Sequence, residues 1–214
     1  MALPGFTLIF FAVPEESKPF LKSRAEFAQV EVIITGMGRI NAGKSFREAV
    51  AWRRPDRVLT CGFAGGLDPA LSLAQVVFST ADDSPLRTLL LGAGARQGRI
   101  HCADRVAVTV SEKRSLREAT GADAVEMESG VIQELCGAAH IPCATVRVIS
   151  DVAGEDLPLD FNQLMTPEHG LNLKRLAWTV MKSPGKIAGL LRLQRNTAVA
   201  AKRLASALAH VLRG

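Results

Sequence analysis

A chain of 214 residues, 48% hydrophobic and 22% charged, has enough apolar surface for one substantial core, which excludes intrinsic disorder. No apolar run reaches the length of a membrane span, and Phe6 to Val13 has no basic residue before it and soon meets Glu15 and Glu16, so it reads as a buried first strand rather than a leader. The net charge of +5 would suit nucleic acid, but aromatics are only 5% with no tyrosine, so stacking platforms are poorly supplied and no nucleic-acid partner is expected.

Short apolar runs rich in β-branched residues alternate with helical patterns. A predicted strand at Phe6–Val13 leads into a predicted helix at Glu15–Ala28, and a strand at Val30–Thr35 into a helix at Asn41–Arg53. Strands are predicted next at Arg57–Gly62, Gln75–Ser79 and Arg105–Val110, the last preceding a helix at Glu112–Thr120. A strand at Asp123–Glu126 precedes a helix at Glu128–Ala139, and a strand at Cys143–Ser150 precedes helices at Leu171–Met181 and Thr197–Leu212. This alternation predicts an α/β sandwich with helices on both faces of a sheet. No repeat or long linker marks a boundary, so residues 1–214 read as one domain, and Ser183-Pro184-Gly185 only separates two helices.

Cys143 to Ile149 is apolar enough for a central strand buried on both faces, and its end is a rigid place for a catalytic group. Open α/β sheets bind ligands at the carboxyl ends of their strands. Glu16, Gly62 to Gly66, Glu128 and Asp151 all follow predicted strands, so one cleft can collect them. Cys61, Cys102, Cys136 and Cys143 form no C-x-x-C pair, and the histidines are scattered, so reduced thiols and no metal site are expected. From Lys174 to Arg213 the chain carries basic residues and no Asp or Glu. A helix packing its apolar face on the domain explains this; the alternative is peripheral contact with an anionic membrane face through the basic C-terminal helices.

Four motifs carry the chemistry. Val125-Glu126-Met127-Glu128 is followed by Arg147-Val148-Ile149-Ser150-Asp151, and both are preceded by Gly36-Met37-Gly38-Arg39-Ile40-Asn41-Ala42 and Gly62-Phe63-Ala64-Gly65-Gly66-Leu67-Asp68-Pro69. Together, in this order, they resemble the nucleoside phosphorylase and nucleosidase superfamily, and most of all the branch with methylthioadenosine/S-adenosylhomocysteine nucleosidase and the hopanoid-associated phosphorylases. The resemblance implies a three-layer α/β/α sandwich with a central mixed sheet, phosphorylase/hydrolase-like. It also implies cleavage of the N-ribosyl bond of a purine nucleoside, adenosine-derived, by hydrolysis or phosphorolysis. A catalytically impaired nucleoside-binding or sensor protein is the alternative. No cofactor is implied, phosphate being an optional co-substrate; a cytoplasmic homodimer is.

The resemblance assigns roles residue by residue. Glu128 accepts from two ribose hydroxyls, which one ionised carboxylate can do, with Met127 packing under the sugar and Glu126 beside them; acids suiting a helix N-terminus are the plain alternative. Asp151 protonates the departing purine, a poor leaving group otherwise, with Ser150 orienting it; an Asx turn is the alternative. Glu16 is the general base that activates water, with Glu15 leaving the register open by one residue. Ala64, Gly65 and Gly66 let backbone approach the ligand, and Val106 and Ala107 stand where the family places an aromatic on the base. Phe63 replaces a serine or threonine and Thr60 an arginine, so a phosphate loses two usual partners, for which Arg39 is the candidate replacement.

Overall fold

The computed structural model describes residues 5–164, 166, 181 and 183–214. Strand β1 (Thr7–Phe11) is buried at every position and pairs in parallel with both β2 (Val30–Ile34) and β3 (Arg57–Gly66). β3 pairs in parallel with β8 (Cys143–Asp151), and β4 (Val76–Thr80) runs antiparallel on the far side of β8 with β5 (Arg96–Gln97) beyond it. The long end of β3 also takes β7 (Ala124–Glu126) antiparallel, and β7 carries β6 (Ile100–Cys102) in parallel. The sheet is therefore mixed, in the order β2-β1-β3-β8-β4-β5 with β7 and β6 branching from β3.

Side-chain alternation along β1 builds the two cores. Ile9 and Phe11 pack with Phe20 of α1 (Pro14–Leu21), with Leu86 and Leu90 of α3 (Pro85–Gly92), and with Leu204, Leu208 and Val211 of α6 (Ile187–Arg213). Leu8 and Phe10 point the other way, to Ala42 and Phe46 of α2 (Arg39–Trp52) and Ile132 and Cys136 of α5 (Ser129–Ala138). This is the expected three-layer α/β/α sandwich with a central mixed sheet. Helix α4 (Val110–Thr120) starts from a capping box in which Thr109 and Glu112 serve each other's backbone N–H groups, and it ends at Gly121 in the left-handed conformation.

Several sequence expectations are corrected. Arg105–Val110 forms no strand, because its ladder groups are taken elsewhere. Asn162 binds the N–H and C=O of Val106 at 2.9 and 3.0 Å, Glu112 accepts from Val108 N at 2.7 Å, and Leu157 N donates to Val108 O. The glycine-rich segment is not a turn after β3 but its final part, with a register shift between Ala64 and Gly65. The first helix stops at Leu21, a short 3-10 turn covers Arg24–Glu26, and α3, β5 and β6 were not foreseen. Helix α6 starts ten residues before the predicted Thr197, and the predicted helix at 171–181 lies, Met181 apart, outside the described residues.

Candidate active site

The carboxyl ends of β1, β3, β7 and β8 open on one cleft of about 570 Å³, within the range usual for small-molecule sites. Glu16 enters it from the N3 position of α1. Its Oε2 accepts from Ala12 N at 2.9 Å and Val13 N at 3.1 Å, closing the start of the helix, while Oε1 accepts from Phe63 N at 2.7 Å. A Cβ at Gly62 would lie 2.5 Å from that Oε1, so this position of β3 must be glycine for the carboxylate to reach the strand. Glu15 borders the cleft as well, but its carboxylate is exposed and paired with Lys18 at 3.2 Å. Of the two neighbours, Glu16 is the buried one. Burial pushes its pKa up to about 7; the Phe63 N–H and the Arg147 charge oppose this, and the nearby Glu128 adds to it.

Glu126 and Glu128 have separated roles. Glu126 Oε2 accepts from Glu128 N at 3.0 Å and Ser129 N at 2.8 Å, and Oε1 accepts from Ser129 Oγ at 2.7 Å, so this carboxylate caps α5. It also receives both Nε and Nη2 of Arg147, a guanidinium only 1% exposed. Burial would raise the pKa of Glu126, but Arg147 and Ser129 outweigh it and hold the carboxyl below its usual range. Glu126 borders the cleft, yet its oxygens serve the fold. Glu128 is freer: its Oε1 accepts from Gly38 N at 2.9 Å, and its pKa is raised, by burial first and by Glu126, against the opposing charge of Arg147. Gly38 has φ 84°, a left-handed backbone suited to glycine, so the Gly36-Met37-Gly38 turn aims an N–H at Glu128.

Asp151 closes β8 and is 8% exposed. Ser150 Oγ donates to its Oδ1 at 2.8 Å, and Lys113 Nζ of α4 lies 2.6 Å from Oδ2. Three acids thus face one cavity, each fixed differently. Glu16 is held by backbone N–H groups, Glu128 by a glycine turn, and Asp151 by a hydroxyl and an ammonium.

Residues 83–182 match the family model of the phosphorylase superfamily. Over that stretch the chain resembles the phosphorylase superfamily. Aminodeoxyfutalosine nucleosidase of Campylobacter jejuni is 22% identical over 206 residues, covering 73% of this chain and 90% of its own. The 5′-methylthioadenosine/S-adenosylhomocysteine nucleosidase of Neisseria meningitidis, solved with methylthio-immucillin-A, superposes with a TM-score of 0.73 at 17% identity, over 97% of this chain and 98% of that one. Futalosine hydrolase of Helicobacter pylori superposes with a TM-score of 0.67 at 18% identity, over 95% and 97%. Such distant likenesses establish a shared fold, and the mixed sheet between two helix layers is that fold.

Ala64, Gly65, Val106, Ala107, Met127, Ser150, Glu16, Glu126, Glu128 and Asp151 all border the cleft. Gly66 and Arg39 do not. A Cβ at Gly66 would meet the Asp151 carbonyl at 3.4 Å and Ala153 N at 3.5 Å, and Arg39 is half exposed, 3.9 Å from Asp104 and 3.7 Å from Glu134. Sequence reasoning assigned nothing to Arg147 as a charge, although a lone arginine inside an apolar strand is itself a signal. Its Nη2 also donates to Thr60 Oγ1 at 3.3 Å, so Thr60 serves the guanidinium. Phe161, Leu157, Leu193 and Thr197 give the cleft an apolar wall that no motif announced, since they come from a 3-10 turn, a loop and α6.

Proposed function

We propose that the protein hydrolyses the N-ribosyl bond of a purine nucleoside, an adenosine derivative in preference. The observation that carries the reading is the meeting of Glu16, Glu128 and Asp151 on one cleft, with Glu16 shifted to about 7. A general base works best with a pKa near the working pH, and Glu16 has that property. Glu128, held from one side by Gly38 N, grips the ribose hydroxyls. Met127 lies under the sugar, with Val106, Ala107 and Phe161 around the base.

As the bond from the anomeric carbon to the purine breaks, its electron pair passes into the base and the sugar becomes cationic. Asp151 protonates the base; Glu16 takes a proton from water as the oxygen adds to the anomeric carbon. The carboxylates of Glu16 and Glu128 stabilise the developing positive charge. Water is favoured over phosphate on electrostatic grounds, because a dianion would enter beside Glu16 and Glu128 while Arg39 is paired elsewhere and Arg147 is committed to Glu126. The relatives named as nucleosidases and as a hydrolase support the same choice.

The test is a panel of purine nucleosides incubated with purified protein in phosphate-free buffer, followed for free base and free ribose. Release of both supports the reading. A saturable phosphate requirement with ribose 1-phosphate as product makes the enzyme a phosphorylase, and binding without release makes it a nucleoside-binding protein, the outcome that Phe63 in the serine position would then explain.

A further inference from the structure

Lys113 is among the most deeply buried side chains of the protein, at 1% exposure, on a helix that otherwise shows solvent a mainly polar face. An ammonium there is costly unless all three of its donors are satisfied. Two are, since Nζ donates to Val152 O and Glu155 O, both at 2.9 Å; the charge is met by Asp151 Oδ2, 2.6 Å away in an ion pair and without another partner among the described residues. The two carbonyls belong to the turn that follows β8, so they hold Nζ at a fixed point just beyond the strand end. The ion pair then holds the Asp151 carboxylate, whose other oxygen accepts from Ser150 Oγ at 2.8 Å. A Cβ at Gly65 would sit 3.2 Å from the same Oδ2, so the β3 backbone closes the carboxylate in from the side.

From this arrangement, and resting on the hydrolase reading above, we infer that Lys113 is the positioning residue of the acid step and the source of its proton. In the resting site the pair is ammonium and carboxylate. When the glycosidic bond breaks, Lys113 Nζ passes one proton to Asp151 and Asp151 delivers one to the purine, which leaves as the neutral base. Lys113 is left as an amine beside a carboxylate. The proton that Glu16 has taken from water returns to solvent, and solvent restores the ammonium. No oxidant or further reactant is needed. A plain structural role also exists, the stapling of the Val152–Glu155 turn to α4, and the two differ in one respect. A staple affects every substrate alike, whereas a proton source matters only when the leaving group needs a proton.

The experiment compares Lys113→Met, Lys113→Arg and Asp151→Asn with wild type on two kinds of substrate: adenosine and 5′-methylthioadenosine, whose base must be protonated, and 4-nitrophenyl β-ribofuranoside, whose phenolate leaves unaided. Lys113→Met is expected to lose about a hundredfold in kcat on the purine nucleosides, the scale of a displaced catalytic group, with KM and nitrophenyl riboside turnover nearly unchanged. Asp151→Asn should show the same selectivity. Lys113→Arg, which keeps a cation and donors for both carbonyls, should lose less, and again only on purines. It carries the test by itself if thermal unfolding shows that the methionine variant does not fold. Equal losses on both kinds of substrate, with Asp151→Asn still selective, would reduce Lys113 to a staple and leave the hydrolase reading standing. A wild-type protein inactive on all of these substrates would remove that reading and the inference together.

Discussion

Replacing Glu16 by glutamine removes one titration from the cleft, and the structure sets the size of the effect. The carboxyl has a pKa of about 7 in the fold against an ordinary 4.5. At roughly 1.4 kcal/mol for each unit of pKa, the buried charge costs about 3 kcal/mol relative to an unfolded, solvated one. Because the folded value is raised, the folded protein binds the extra proton. The stabilising contribution is complete below about 4.5, declines as the pH climbs, and is gone above about 7. Glutamine also turns an NH₂ group toward one of the backbone N–H groups that Glu16 satisfies, which costs about 1–3 kcal/mol at every pH. The diagnostic is therefore the pH slope of the difference between the proteins, not its level. Thermal unfolding across this range should show the variant gaining about 3 kcal/mol on wild type as the pH rises, or on the order of 6–12 °C for a chain of this size. The same titration should govern turnover. Wild-type kcat/KM for a purine nucleoside should rise about tenfold per pH unit and level off near pH 7, while the variant loses roughly 10²-fold or more. Parallel stability curves for the two proteins, or an acid limb at the position of an ordinary carboxylate, would refute the reasoning.

Asp151→Asn should fold and bind substrate but release purine about a hundredfold more slowly or worse, the usual share of positioned proton transfer; near-wild-type base release would remove Asp151 from the mechanism. Glu128→Gln keeps an oxygen for Gly38 N but weakens the grip on the ribose hydroxyls, costing about tenfold to a hundredfold in kcat/KM on ribonucleosides and much less on their 2′-deoxy counterparts; equal losses on both would contradict its role. Arg147→Met strands Glu126 as a buried charge and should destabilise by about 3–5 kcal/mol. Adding Glu126→Gln should restore much of that in chemical denaturation, and strictly additive losses would show that the two are not a unit.

The lesson about legibility lies in which contacts are local. Repeating apolar patterns reveal which faces are buried, and Phe6–Val13, Val30–Thr35 and Cys143–Ser150 came close to their true strands because each carries its own pattern. Glu16, Glu128 and Asp151 were assigned through the resemblance of their motifs, and each stands at or just beyond the end of a strand, where the chain leaves the sheet. Arg105–Val110 has the composition of a strand but meets Asn162, 56 positions from Val106, before it meets another strand. Glu126 was read as a ligand group, and only the fold shows it spent on Arg147 and the start of α5. Gly38 N reaches Glu128 across 90 positions, and Lys113 reaches the turn beyond Asp151 across about 40. A buried polar atom must find a partner, but composition does not say which one. That choice depends on which backbone groups the sheet has already consumed and which side chains its crossovers bring to the same edge, so it exists only once the chain has closed. The sequence by itself determined the layers, the strand ends and the acids standing on them; tertiary structure decided which acid is free to act and which cation stands behind it.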